Sequence, residues 1–263
     1  MPTVHPAARA LAFVLLAVPA GAAAQPASPS RPDLYKFVTI QAAPGELPEL
    51  LALYRQRVPV LASNGDELPV VVRHSQGDRW DLLLIYPMGR SFAEFYAPER
   101  AARRDQAAKA SGVTNAAFQE QLYAHIAWHE DVFVWGPPLA ELRAYVAGTT
   151  VAHLEMMQAR AGQHEALTRE RYMESDFNVN RGRPRMLVFT HEQGAAWDVI
   201  TLDAWKDWRQ YGEAQMVPSA VSEAAATKAG FPNADAVGVT MRRYINTHHD
   251  TLGSFVPLAP SMK

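Results

Sequence analysis

The chain carries one motif twice, and a chain made of two like units can fold only in ways that let each unit bury surface against the other. His74-Ser75-Gln76-Gly77-Asp78-Arg79-Trp80-Asp81 and His191-Glu192-Gln193-Gly194-Ala195-Ala196-Trp197-Asp198 both read H-x-Q-G-x-x-W-D, 117 residues apart. At the same offset, without a gap, Gln41-Ala42 matches Gln158-Ala159, Gly45 matches Gly162, Leu50 matches Leu167 and Gly65 matches Gly182. Later the offset becomes 119: His129 and Asp131 match His248 and Asp250, and Pro138-Leu139-Ala140 matches Pro257-Leu258-Ala259. The chain therefore reads as two copies of a unit of about 110 residues, an ordinary domain size. The first copy is assigned to residues 34–145 and the second to 146–263.

Residues 1–24 read as a secretory signal peptide. Arg9 supplies a positive start, Leu11 to Ala22 is a short apolar run, and Ala22-Ala23-Ala24 before Gln25 is a small-residue cleavage site. The run is too short and wrongly flanked for a membrane span. Residues 25–33 (QPASPSRPD) read as a polar, disordered linker. The expectation is an exported protein, periplasmic or secreted. There is no Cys, which excludes thiolate metal sites, iron–sulfur clusters and thiol nucleophiles. Net charge is −2, and losing the leader removes Arg9 and no acid. That balance gives no electrostatic reason to expect a nucleic-acid partner.

Within one copy, Leu34 to Gln41 is aromatic and β-branched, a strand. Pro44-Gly45 ends it, and Glu46 to about Ala62 has apolar residues at helical spacing. Leu68 to His74 and Trp80 to Tyr86 are strands joined by a hairpin at Gly77. Ser91 to Ala110 and Ala116 to His129 read as helices, and Asp131 to Trp135 as a last strand. The order is β-α-β-β-α-β with an extra helix, the split βαβ pattern, and the second copy repeats it. Strand parity separates two faces. Tyr35/Ala152, Phe37/Leu154 and Thr39/Met156, with Leu83/Ile200 and Ile85/Leu202, are expected under the helices. The mixed set of Lys36/His153, Val38/Glu155 and Ile40/Met157, with Trp80/Trp197, Leu84/Thr201 and Tyr86/Asp203, is expected to face the other sheet.

A duplicated split βαβ unit packed sheet on sheet resembles the dimeric α/β-barrel (ferredoxin-like) superfamily in a fused, tandem-repeat form. The resemblance covers nearly all the chain after residue 33 and rests on topology and repeat. It implies an α+β fold of two ferredoxin-like repeats closed into a pseudo-dimeric barrel. Members include cofactor-free monooxygenases, haem-degrading and haem-binding enzymes, lactone isomerases and mutarotases, and fold alone does not select among them.

His125, His129 and His248 are the catalytic candidates, and His125 and His129 the candidates for holding a metal. Phe118, Leu122, His125 and His129 make one stripe on the expected helix, so His125 and His129 could hold a divalent metal or place one ring as an axial haem ligand. In the second copy the stripe is Val237, Met241, Tyr244 and His248, so His129 has a counterpart and His125 has none. A histidine retained at a helix end beside an Asp also has a purely structural use. The H-x-Q-G-x-x-W-D hairpin reads first as a device that pins register, with Trp80 and Trp197 as candidate ligand-lining rings. His153, Glu155, Tyr86 and Asp203 are candidates for the polar end of an inter-sheet pocket. Arg169 and Arg171 share a helix with Glu165, Glu170 and Glu174 and read as a solvated, charge-paired face. Phosphate-loop, G-x-G-x-x-G and G-x-S-x-G motifs are absent. The leading functional expectation is an exported protein that binds a small hydrophobic molecule in an apolar pocket between the copies. One alternative is a haem-dependent or cofactor-free oxygenase or isomerase using His129 or His125. Another is a non-catalytic interaction protein with a packed interior.

Overall fold

The computed structural model describes residues 30–259. The expected leader at 1–24 and residues 25–29 of the expected linker lie outside the described residues. The first copy runs β1 (Asp33–Ala42), α1 (Leu47–Asn64), β2 (Val70–Gln76), β3 (Leu82–Gly89), α2 (Phe92–Phe95), α3 (Pro98–Ala110), α4 (Asn115–Ala124) and β4 (Ile126–Gly136). A short helix, α5 (Leu139–Val146), leads into the second. There follow β5 (Val151–Ala159), α6 (His164–Asn180), β6 (Leu187–Gly194), β7 (Val199–Trp205), α7 (Trp208–Glu213), α8 (Ser219–Ala229), α9 (Ala236–Arg242) and β8 (Ile245–Phe255). Among the described residues no helix is long and apolar enough to cross a membrane.

The strands form a closed barrel in the order β1-β3-β2-β8-β5-β7-β6-β4. Each copy contributes four antiparallel strands, and the copies join edge to edge through β2–β8 and β4–β6. Closure leaves no unpaired sheet edge, the usual liability of an open sheet. The repeated motif makes these two seams. Gly77 has φ of 113°, and a Cβ there would lie 2.1 Å from the Asp250 carbonyl oxygen. Gly194 has φ of 104°, and its Cβ would lie 2.5 Å from the Asp131 carbonyl oxygen. Each hairpin tip thus rests directly on the last strand of the other copy, where no side chain fits. The Asp of each motif finishes the device. Asp81 Oδ2 accepts from the Ala42 amide at 2.8 Å, and Asp198 Oδ2 accepts from the Ala159 amide at 2.7 Å.

Within the strands the two parity sets hold, but the faces are the reverse of the sequence expectation; Trp80 and Trp197, which precede β3 and β7, are the exception and lie on the barrel side as expected. Tyr35, Phe37, Leu83, Ile85, Ala152, Leu154, Met156, Ile200 and Leu202 form a single core inside the barrel, drawn from both copies. Val38, Ile40, Leu82 and Leu84 pack outward against Leu50 and Tyr54 of α1 and Leu122 of α4. Met157, Val188 and Val199 pack outward against Leu167 of α6 and Met241 of α9. An eight-stranded barrel has an interior just wide enough for side chains, or one small ligand, to fill. Phe37, Phe189, Leu83, Ile85 and Trp80, all 0–1% exposed, fill it here. Such an interior cannot take Lys36, His153, Glu155 or Asp203 without stranding charge in apolar surroundings. Those residues point out, to the helix side and its rim.

A second difference concerns β4. The spacing of Phe118, Leu122, His125 and His129 predicts helix to 129, whereas α4 ends at Ala124 and strand begins at Ile126. The reason is tertiary: β1 pairs with β4 along its whole length, from Asp33↔Gly136 to Ala42↔Ile126. In the second copy α9 ends at Arg242 and β8 starts at Ile245, so His248 is likewise on a strand.

Candidate functional site

The outer face of the first copy's sheet, roofed by α1 and α4, holds a cleft. Val38, Ile40, Leu122 and Ile126 make an apolar floor, and Lys36, Tyr54, Tyr86, His129 and Asp131 bring polar groups to it. The part lined by His129 and Asp131 encloses about 180 Å³. Past Tyr54, Tyr86 and Gln119, toward Arg57, Asn115 and Phe118, lies an adjoining space of about 340 Å³; only the latter reaches the range usual for small-molecule sites, about 300–1,000 Å³.

The polar groups are coupled. Lys36 Nζ lies 3.5 Å from Asp131 Oδ2 and 5.4 Å from the centre of the Tyr86 ring. His129 Nδ1 lies 3.4 Å from Asp131 Oδ1, and the His129 ring stacks on Tyr123 with centroids 5.6 Å apart. Burial holds the Tyr86 phenol well above its ordinary value, and the neighbouring Tyr54 and Asp131 add to this. Burial likewise raises Tyr54, partly offset by its hydrogen bond with Tyr86. Both phenols therefore stay neutral near pH 7 and serve as hydrogen-bond partners. Farther along, Arg57 donates to Asn115 Oδ1 and lies over the Phe118 ring at 4.6 Å. At the far wall Asp66 holds Arg100 and Arg104 at 2.9 and 2.7 Å. Burial disfavours the Asp66 carboxylate, but the two guanidiniums outweigh it and keep its pKa low.

The same place in the second copy is built from different residues. At the repeat offset Glu155 stands for Val38, Arg171 for Tyr54, Asp203 for Tyr86 and His153 for Lys36. Arg171 has no exposed surface, and it donates to Glu155 at 3.1 Å, to Glu170 at 2.6 Å and to Glu174. Burial disfavours its charge, but the three carboxylates prevail and raise its pKa. The sequence reading of a solvated Arg/Glu face is correct for Arg169, which pairs with Glu165 at 3.6 Å in the open, and is corrected for Arg171. Burial pushes the Glu170 carboxyl up to about 7; Arg171 opposes this, and Glu174 and Glu155 reinforce it. His153 sits between Asp203 Oδ2 at 3.1 Å and Asp250 Oδ1 at 2.7 Å. Burial works against its charged form, yet these two carboxylates and Glu155 hold its pKa well above the ordinary value.

The structure disperses the remaining candidates. His125 caps α4, with Nδ1 2.7 Å from Glu46 Oε2, so it ties α4 to the start of α1. It is not on one helix face with His129, and the expected His125/His129 pair does not form. Trp80 is buried in the barrel core with the His74 ring 5.8 Å away. Trp197 packs against the same core, donates Nε1–H to Glu130 and meets the His249 ring at 4.7 Å. Tyr86, His153, Glu155 and Asp203 lie on the outer faces of the two copies, not in a space between the sheets. His248 lies on β8 beside Glu155 and Asp250. Sequence reading missed Lys36, Tyr54 and Arg171. Their signal is a polar residue of one strand parity facing a polar residue on the inner side of a helix, legible only once the faces are assigned.

Haem ligation needs an imidazole nitrogen that opens on a slot wide enough for the macrocycle. His125 Nδ1 is paired with Glu46, which leaves Nε2 as its available nitrogen. His129 is flanked by Tyr123 and Asp131, and its cleft is edged by phenols, an ammonium and a carboxylate.

No protein-family model matches the sequence, and no curated protein matches it. Solved structures do. An anthrone oxidase-like protein superposes with a TM-score of 0.52, at 10% identity, over 86% of this chain and 92% of its own. A candidate monooxygenase of Fusobacterium nucleatum subsp. nucleatum ATCC 25586 also gives 0.52, at 9% identity, over 86% and 93%. A mutant chlorite dismutase of Candidatus Nitrospira defluvii superposes more loosely, with a TM-score of 0.47 at 12% identity over 88% and 94%. Shared at this level is the fold alone, a ferredoxin-like dimeric α/β barrel.

Proposed function

We propose that the protein binds a small, flat, mainly apolar molecule bearing an acidic hydroxyl or C–H group in the first copy's cleft, and takes a proton from it at His129. The observation that carries this reading is the contrast between the copies. The first has an open, apolar-floored cleft with an imidazole, an ammonium and two neutral phenols at its edge. The second fills the equivalent position with the buried Arg171 ion cluster. Asp131 accepts from His129 Nδ1–H, which leaves Nε2 as the basic nitrogen and stabilises the imidazolium once formed. Lys36 and the Tyr86 hydroxyl supply positive charge and a donor for the anion left on the ligand. Val38, Ile40 and Leu122 bury its apolar part, at about 25 cal/mol per Å².

An anion made this way passes electrons to dioxygen in a cofactor-free oxygenase, or is reprotonated elsewhere in an isomerase. That the structural neighbours include an anthrone oxidase-like protein and a candidate monooxygenase favours dioxygen. The test is oxygen uptake and ligand fluorescence with a hydroxylated anthrone as probe. Saturable binding is expected, with uptake lowered by about 10²–10⁴ in His129→Ala and a raised KM in Lys36→Met. Equal uptake by His129→Ala would sink the proton-transfer step, and absence of any saturable binding would sink the site. A Soret band appearing on haem titration and lost in His129→Ala would replace this reading with a haem one. We further propose that the chain is exported, on its N-terminal sequence, which N-terminal sequencing of protein from its own host would check.

A further inference from the structure

The second copy carries a ligand set that the first lacks. On the outer face β5 pairs with β8 so that Glu155 lies opposite Asp250 and Met157 opposite His248. In the first copy the residue opposite Asp131 is Val38. Replacing that valine position by glutamate adds a second carboxylate to the His/Asp pair. One ligand atom each from Glu155, His248 and Asp250 lies within 4.8 Å of the others.

We propose that Glu155, His248 and Asp250 bind a divalent transition-metal ion. Each carboxylate has one oxygen held and one to spare. Glu155 Oε2 accepts from Arg171 at 3.1 Å and from Thr201 at 3.4 Å. Asp250 Oδ1 accepts from His153 Nε2 at 2.7 Å. Fixing one oxygen aims the other, as outer-shell partners do around metal centres. Among the described residues no hydrogen bond engages the His248 ring. Small side-chain rotations would bring the three atoms to about 2.0–2.2 Å from a common ion. Glu155 is buried, His248 is half-buried and Asp250 is exposed, so the ion has a path from solvent.

A second observation also asks for positive charge here. Asp203, which shares His153 with Asp250, is more than nine-tenths buried, and among the described residues its Oδ1 has no donor. Among the described residues, Glu155, Glu174, Asp203 and Asp250 share only Arg171 and His153 as direct ion-pair partners. Arg181 and Arg183 act on Glu174 and Asp203 through space, outside salt-bridge distance. One imidazole and two carboxylates suit zinc, manganese or iron(II) better than calcium or copper(I). Three protein ligands leave a coordination position for water. The ion would pin β5 to β8 at the rim.

The test is calorimetric titration of the chelator-treated full chain with Zn²⁺ and, separately, Mn²⁺, with His248→Ala and Asp250→Asn alongside. Both substitutions are at partly or fully exposed positions, and circular dichroism checks that each variant folds. The expected result is one ion per chain for at least one metal, at least tenfold weaker in both variants, with Tm raised by the ion in the parent chain only. No saturable one-to-one binding of either ion, or binding unchanged in both variants, overturns the site.

Discussion

Single residues carry much of this architecture. Asp81 and Asp198 accept the amides of Ala42 and Ala159 where β1 and β5 end, which binds each hairpin to its own central strand. Asp81→Ala removes that acceptor and is expected to lower unfolding stability in urea by about 1–3 kcal/mol, while Asp81→Asn recovers part of the loss. The buried Glu170 gives a pH signature. Its folded pKa of about 7 stands above the ordinary value of 4.5, so the folded state keeps a proton that the unfolded state has released. Stability from this group is then full below 4.5, declines as pH rises between 4.5 and 7, and is flat above. Glu170→Gln should flatten that part of the profile and be the more stable protein at pH 8. His153, whose folded pKa is also raised, adds its own loss as pH rises, so the informative quantity is parent minus variant across pH 4.5–7. A difference that does not change with pH there would show that Glu170 titrates normally. The motif residues were visible in the sequence because both copies keep them. The burial of Arg171 is not legible in the sequence, because helical spacing to glutamates looks the same on a solvated face and on a buried one.

At the scale of elements, hydrophobic pattern located the strands and α1 and α6, and it failed where a partner strand decided the outcome. Ile126 to Asp131 has an apolar spacing compatible with a helix, but β1 needs a hydrogen-bonding partner along its full length and β4 supplies it. That conversion moves His129 from a helix stripe to the wall of the cleft. The short helices α2 and α7 bury no residue, whereas β1 and β5 are paired on both sides. Native-state amide exchange should therefore open α2 and α7 at low free energy and β1 and β5 only near the global value. Protection in α7 equal to that in β5 would contradict this.

For the whole molecule, the barrel interior is one core shared by both copies, and both seams are strand pairs. Neither copy can keep its inner face buried alone. Thermal unfolding should follow a single transition with calorimetric and van't Hoff enthalpies in agreement, and two resolved transitions would show the copies to be independent. Duplication, strand parity and the split βαβ order were legible from the residues, because periodicity of 2 and 3.6 and recurrence at a fixed offset are local properties of a sequence. Which parity faces inward was not local. Large apolar side chains from both copies fill the closed interior, so the charged set lies outward and the candidate site is on the helix side rather than between the sheets. The pairing of Arg171 with Glu155, and of His248 with Glu155 and Asp250, follows from that turn, since residues far apart in sequence meet only when β5, β8 and α6 have been laid on one face.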